Sequence, residues 1–381
     1  MIQVNNPHNR ISFFNRDTNS VHECITALLT ADKIRTSSVA AHEYNISNFV
    51  PRPDQYREVI HGIVPIPPRS RWLFDGNTFF SNNSSMTLDQ GKSNLLAASK
   101  RLLATLDGKK IAVELSGGLD TGVIIGLLDH LGIEPTLIGS RSSKYEFRTE
   151  SIIQEILSRR FLDSHLLPKT KSLPFSDLLC TPVHQLPSST SLFHAHSTRI
   201  AALCSELSIN ILLSGMGLDI LFCEETQHIG NQGPPDTWST WMLDDNWFNE
   251  YIFEPRGICY KSAAASTSLI RTIWSMRRCQ KEDVQKWWAR DTFSDFLPAE
   301  LSKFAYKADN SGDFIDGLLT AEKDIQILFK AIYELTKFDQ FNQNSFNSLV
   351  GNAIKNDNAT IKTIMARVSF ANWIYGLAKA F

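Results

Sequence analysis

Residues 111–128 read IAVELSGGLDTGVIIGLL, and this stretch decides the fold. IAVEL is a short apolar run with the length of a buried strand, and TGVIIGLLDHL behind it has the length of a helix. Between them stand Ser116, Gly117, Gly118, Leu119, Asp120 and Thr121. Two adjacent glycines let the chain turn tightly and approach a ligand without Cβ clashes. The amides that open the helix have no partners inside it and point at whatever lies above the helix start. The hydroxyls of Ser116 and Thr121 add donors, so the pattern is an anion cradle. An acid inside a phosphate cradle repels its ligand unless a cation intervenes. Asp120 is therefore read as a ligand for Mg²⁺ facing a triphosphate. No Gly-Lys-Ser/Thr follows, so this is not a Walker A loop.

Working outward, the pattern repeats. SNLLAASKRLLATL has helical spacing and is followed by a DGKK turn. Downstream, TLIG is a strand, TESIIQEILSRRF and STRIAALCSELS are helices, and INILLS is a third strand. Strands alternating with helices predict an α/β fold with a parallel, doubly wound sheet. From about residue 235 strand signals fade. TSLIRTIWSMRR, KEDVQKWWARD, AEKDIQILFKAIYELTKF and ATIKTIMARVSFANWIYGLAKAF read as helices covering the sheet. Upstream, residues 1–85 form a small β-rich segment in which ISFF and RWLF are strands. The polar stretch SNNSSMTLDQGKSN marks a boundary near residue 85, and residues 86–381 form the main domain.

Composition narrows the class. The chain has 381 residues, 43% hydrophobic and 20% charged, which predicts a folded globule with a sizeable core. Its net charge of −2 offers no nucleic-acid footprint. Six scattered cysteines form no CxxC pair, so free thiols in a reducing compartment are expected. No signal peptide or membrane span is evident, so the expected location is the cytoplasm. His194 and His196 stand two apart before a helix. Residues i and i+2 do not share a helix face, which argues against a metal pair. Trp287 and Trp288 are read as core packing, and Arg141 and Lys144 as solvated.

A second Gly-rich turn closes the third strand: Ser214, Gly215, Met216, Gly217, Leu218 and Asp219. Asp219 becomes a second carboxylate near strand ends, able to share Mg²⁺ with Asp120 over a leaving pyrophosphate.

The first loop resembles the SGGxDS loop of the PP-loop ATP pyrophosphatases (adenine nucleotide α-hydrolase-like), with Thr121 and Gly122 in place of two serines. Together the loops resemble the synthetase domain of the asparagine synthetase family. Weaker matches follow in order. TLIGS, with Ile138, resembles the strand end that holds adenine. Glu146, Glu150 and His165 match the segments after it. In LPAELSKFAYKADNSGDF, Lys307 matches the lysine that stabilises the pentavalent phosphorus, with Lys303 the alternative. GIVPIPPRSRWLFDG resembles the family's linker between glutaminase and synthetase domains. The resemblance implies ATP and Mg²⁺ as cofactors. Leu115 through Thr121, Ile138, Ser214, Gly215 and Met216 would line the nucleotide, Asp120 and Asp219 would hold the metal, and Lys307 would act in catalysis.

The departures set the expected reaction. Position 2 is Ile2 rather than the glutaminase cysteine, and only about 60 residues precede the linker. Glutamine is then not the nitrogen source. Met216 stands where asparagine synthetase has glutamate, β-lactam synthetase tyrosine and lasso-peptide macrolactam synthetases often histidine. It cannot take a proton, and the base stays unassigned. The expected activity is amide formation through an acyl-adenylate, with lactam or macrolactam closure on a peptide or small molecule carrying a carboxylate and an amine. A partner biosynthetic protein is a further possibility. The alternatives are amidation by ammonia or an external amine, a tRNA-modifying PP-loop enzyme, and a non-catalytic nucleotide-binding partner.

Overall fold

A computed structural model describes residues 2–6, 12–15, 20–22, 63–66, 70–74, 96–97, 100, 108–141, 149–161, 163–169, 172–182, 189–216, 218, 248–262, 287–299, 301, 311–337, 339–353 and 358–379. Five short strands come first: β1 (Ile2–Asn6), β2 (Ser12–Asn15), β3 (Ser20–His22), β4 (Ile63–Ile66) and β5 (Ser70–Phe74). β1 pairs antiparallel with β5, and β2 pairs antiparallel with both β3 and β4. β4 lies at the edge of its sheet, where Pro65 removes no interior ladder bond. The expected boundary near residue 85 falls outside the described residues.

The main sheet begins with β6 (Ile111–Glu114), followed by α1 (Leu119–His130), β7 (Thr136–Arg141), α2 (Thr149–Arg160), β8 (Ser164–Pro168), α3 (His194–Glu206), β9 (Ile211–Ser214) and β10 (Cys259–Ser262). The remaining helices are α4 (Trp287–Thr292), α5 (Ser311–Thr320), α6 (Glu322–Thr336), α7 (Gln343–Ala353) and α8 (Asn358–Lys379). The sheet is five-stranded in the order β10-β9-β6-β7-β8, and every pairing in it is parallel. The expected α/β, doubly wound architecture is therefore present. The chain steps from β6 to β7 to β8, then crosses back over β6 to start β9 on its other side. That reversal creates a crevice between the carboxyl ends of β6 and β9, the place where open α/β sheets bind ligands.

Strand alternation sets the layers. Val113, Leu115, Leu137, Ile211 and Leu213 face one side, where they pack with α1, α2 and α4. Ala112, Ile138 and Leu212 face the other, against α3 and the turn around Phe248 and Phe253. A separate core joins α5 to α8 with Phe175, Leu178 and Leu192, and Trp373 is buried in it.

Two strands of the main sheet were not visible in the sequence pattern. β10 lies beyond residue 235, where strand signals fade, and reads CYKS; its alternation spans only four residues at a sheet edge. β8, SHLLP, forms the opposite edge and ends at Pro168, half exposed and with no buried apolar run to announce it.

Candidate functional site

Both Gly-rich loops leave the sheet at the switch point, one from β6 and one from β9. In the first, Gly117 takes φ +81°, a conformation that L side chains rarely adopt. This turn lifts the chain from the strand into α1. The Gly118 amide donates to Ser116 Oγ (3.2 Å), and that oxygen lies 2.7 Å from Thr121 Oγ1. Ser116 is exposed and Thr121 is buried. No side chain caps the start of α1. Its first turn carries Asp120, partly exposed, and a helix start suits an anion.

The second loop closes on the first. A Cβ at Gly215 would stand 2.8 Å from the Thr121 nitrogen and 3.0 Å from the Asp120 Cβ. Only glycine lets the β9 loop approach the α1 start so closely. The Met216 amide donates to Ser214 Oγ (3.2 Å), and the Leu218 amide to the Gly215 carbonyl (3.1 Å). Leu119 and Leu218, the leucines that precede Asp120 and Asp219, are buried in one hydrophobic cluster. The two Gly-Leu-Asp sequences thus share an anchor. Asp219 itself, with Gly217, Lys303, Lys307, Lys144 and Glu146, lies outside the described residues, as do the side chains of Glu150, Trp287 and Trp288.

Leu115 and Ile138 sit one strand apart. Leu115 donates its amide to the Ile138 carbonyl (2.6 Å), and both side chains are fully buried. The Ile138 side chain thus belongs to the core, and one lone pair of its carbonyl is taken. Ser214 and Gly215 are buried, and Met216 packs partly exposed against the cluster of Ala112 and Ile138. His165, on β8, hydrogen-bonds Asp163 (3.0 Å) away from the two loops.

Gly122 departs from the second serine of the resembling motif for a packing reason. A Cβ there would run into Leu301 Cδ1, a fully buried side chain. The Leu301 carbonyl accepts from the buried Arg290 guanidinium. The chain that continues to Lys303 and Lys307 therefore starts against the face of α1, two residues beyond Asp120.

Two residues around the loops, Gln154 and Glu114, escape the sequence reading. Gln154 on α2 is buried and donates to the Leu115 carbonyl (2.9 Å) and the Ser140 carbonyl (3.2 Å), tying the ends of β6 and β7. Glu114, the last residue of β6, accepts from His196 Nε2 on α3 (3.3 Å). Burial pushes the Glu114 carboxyl up, but the His196 bond and charge and the nearby Ser214 hydroxyl outweigh it and hold it below the usual glutamate value. Below it, burial and then the Glu114 charge push the Cys204 thiol up to about 12. The signal for Glu114 was present: an acid inside an apolar strand. His196 faces this carboxylate; among the described residues no group of three or more His, Cys, Asp and Glu side chains could hold a metal ion.

No family model matches the chain. No curated protein matches it either. Among solved structures it is similar to the U34-tRNA thiolase NcsA from Methanococcus maripaludis with its 4Fe–4S cluster, at 13% identity over 70% of this chain and 80% of that one, with a TM-score of 0.32. It is also similar to NMN synthetase from Francisella tularensis, at 9% identity over 59% of this chain and 99% of that one, with a TM-score of 0.27. Among the described residues no helix is long and apolar enough to cross a membrane.

Proposed function

We propose that this chain is an ATP-dependent, AMP-forming carbon–nitrogen ligase that closes a lactam or macrolactam on a peptide or small molecule. The observation that carries the reading is the contact of the two Gly-Leu-Asp loops at the switch point, with Gly215 against Asp120 and Thr121. A single Gly-rich turn is common, but two that converge where a parallel sheet reverses bring the start of the second loop against Asp120.

In this reading ATP lies across the ends of β6, β7 and β9. The helix start from Leu119 to Thr121 and the Ser116 hydroxyl face the phosphates, and the strand ends at Leu115 and Ile138 border the adenine. The proposed donor set, carboxylate oxygens, fits a hard cation. Asp120 and Asp219 would hold Mg²⁺, which supplies charge neutralisation on the pyrophosphate. A substrate carboxylate attacks the α-phosphorus, the bond to the bridging oxygen breaks, and pyrophosphate departs. The amine then attacks the acyl carbon, AMP leaves with its electron pair, and the amine gives up one proton. Net, one ATP becomes AMP and pyrophosphate, and the substrate loses one water. An internal amine gains effective concentration worth up to about 7–11 kcal/mol when well oriented. Lys307 is the lysine for the developing charge. It stands six positions beyond Leu301, a reach of at most about 20 Å, and Leu301 touches the α1 face beside the cradle.

The test is incubation with ATP, Mg²⁺ and candidate substrates, with nucleotides separated by chromatography and the substrate weighed by mass spectrometry. The reading expects AMP and a product lighter by one water. ADP as the sole product removes it, and AMP formation that depends on added tRNA moves the chain to the nucleic-acid-modifying alternative.

A further inference from the structure

Gln154 lies on the buried face of α2 among the apolar side chains of Ile153 and Leu157. A buried amide costs desolvation unless it is bonded. Its hydrogen bonds go to two strand-end carbonyls, Leu115 at 2.9 Å and Ser140 at 3.2 Å. Carbonyls only accept, so the nitrogen is the end of the amide that faces them.

These bonds stand where a rung of the sheet is missing. β6 and β7 pair as far as Glu114 and Ile138, and the Leu115 amide still donates to the Ile138 carbonyl at 2.6 Å. In a parallel ladder the next bond runs back from the Ser140 amide to the Leu115 carbonyl. Pairing ends before it. The Leu115 oxygen instead meets Gln154 and lies over Gly139, where an added Cβ would stand 2.5 Å from it. Leu137 faces the α2 layer, and so by alternation does position 139. The absent side chain at Gly139 thus makes room for the carbonyl to leave the ladder, and Gln154 supplies the donor that holds it there. The N–H of Ser140 points toward β6, as the groups of Ile138 do two residues earlier. Among the described residues no acceptor takes it, and Ser140 stands partly exposed at the carboxyl rim of the sheet.

We propose that Gln154 is a positioning residue that gives the nucleotide site its preference for adenine: it keeps the Leu115 carbonyl out of the ladder, so that the Ser140 amide is left to donate to the base. Adenine presents a bare acceptor at ring nitrogen N1. Guanine carries a hydrogen on N1 and would set donor against donor, a mismatch that such a site rejects. This inference rests on the reading of the crevice as a site for ATP and Mg²⁺.

The test measures the Kd of ATP and of GTP, each with Mg²⁺, by calorimetry on the full chain, alongside thermal melting. Wild type should prefer ATP by about tenfold or more. Gln154→Met keeps the length of the side chain and loses both N–H groups. It should bind ATP about tenfold more weakly with GTP affinity little changed, so the preference disappears. Gly139→Ala, which pushes the Leu115 carbonyl back, should do the same. Ile153→Val, the neighbour on α2, should lower the melting temperature and leave the ATP-to-GTP ratio as in wild type, which separates positioning from plain stability. A measurement that needs no variant is hydrogen exchange at the Ser140 amide. ATP with Mg²⁺ should slow it about tenfold or more, and tripolyphosphate with Mg²⁺ should not. A Gln154→Met protein that keeps the wild-type ratio within twofold overturns the inference and leaves the nucleotide reading standing. So does a wild type that binds ATP and GTP alike, or a Ser140 amide whose exchange ATP does not change. If wild type binds neither nucleotide, the nucleotide reading falls, and the inference falls with it.

Discussion

Asp120 sits in the first turn of α1 with the other loop's Gly215 against its backbone. A carboxylate there has one economical use beside a triphosphate, which is to hold a cation. Asp120→Asn keeps the size and loses the charge. The substitution should lower AMP formation on the order of a hundredfold, with unchanged melting, as measured by nucleotide chromatography under saturating ATP. Glu114 illustrates the opposite case at this scale. Its motif is not a loop but a single acid in the apolar run IAVEL, legible as an anomaly in the sequence. Its partner was not legible, since His196 stands 82 positions away and meets it only once the sheet has formed.

Among the elements, the site depends on close approach. Gly215→Ala would put a Cβ 2.8 Å from the Thr121 nitrogen, so the loops must part. The expected outcome is weaker ATP binding, by about tenfold or more, with secondary structure intact by circular dichroism. Gly122→Ser restores the residue of the resembling motif but meets Leu301. It should destabilise by about 1–3 kcal/mol, the usual cost of overpacking, and a chemical-denaturation curve would show it as a lower midpoint. These contacts explain what the sequence carried and what it hid. TGVIIGLLDHL, TESIIQEILSRRF and AEKDIQILFKAIYELTKF are long and periodic, and each is a helix in the structure. β8 and β10 are four or five residues long, lie at the two sheet edges and mix polar with apolar side chains, so local pattern could not announce them. Gln154 was hidden for a related reason: within an amphipathic helix a glutamine reads as solvent-facing until two strand-end carbonyls are found beside it.

Across the molecule, the parallel alternation of strands and helices was legible from residues 111–214, and so was the place of both loops at carboxyl strand ends. The crossing of the chain from β8 over β6 to β9 was not, because strand order is a tertiary fact. That crossing is what turns two separate glycine turns into one crevice. The buried Cys204 gives a global test of the layer beneath it. Its thiol titrates near 9 when unfolded and is pushed up to about 12 by burial and the Glu114 charge. A raised folded value means stability is intact below about 9 and is lost as pH rises toward 12. The loss from this group is on the order of 4 kcal/mol. Cys204→Ala should therefore flatten the alkaline limb of a stability–pH profile relative to wild type, while its neutral-pH deficit stays constant.

Whether the crevice between the two loops holds a nucleotide is decided most plainly by photo-crosslinking the full chain with 8-azido-ATP and Mg²⁺, followed by peptide mapping. Label should fall on peptides from residues 111–141 or 211–218, be lost in Asp120→Asn and be competed away by ATP. Label confined to α5 through α8, or undiminished in Asp120→Asn, would contradict a nucleotide site at the switch point.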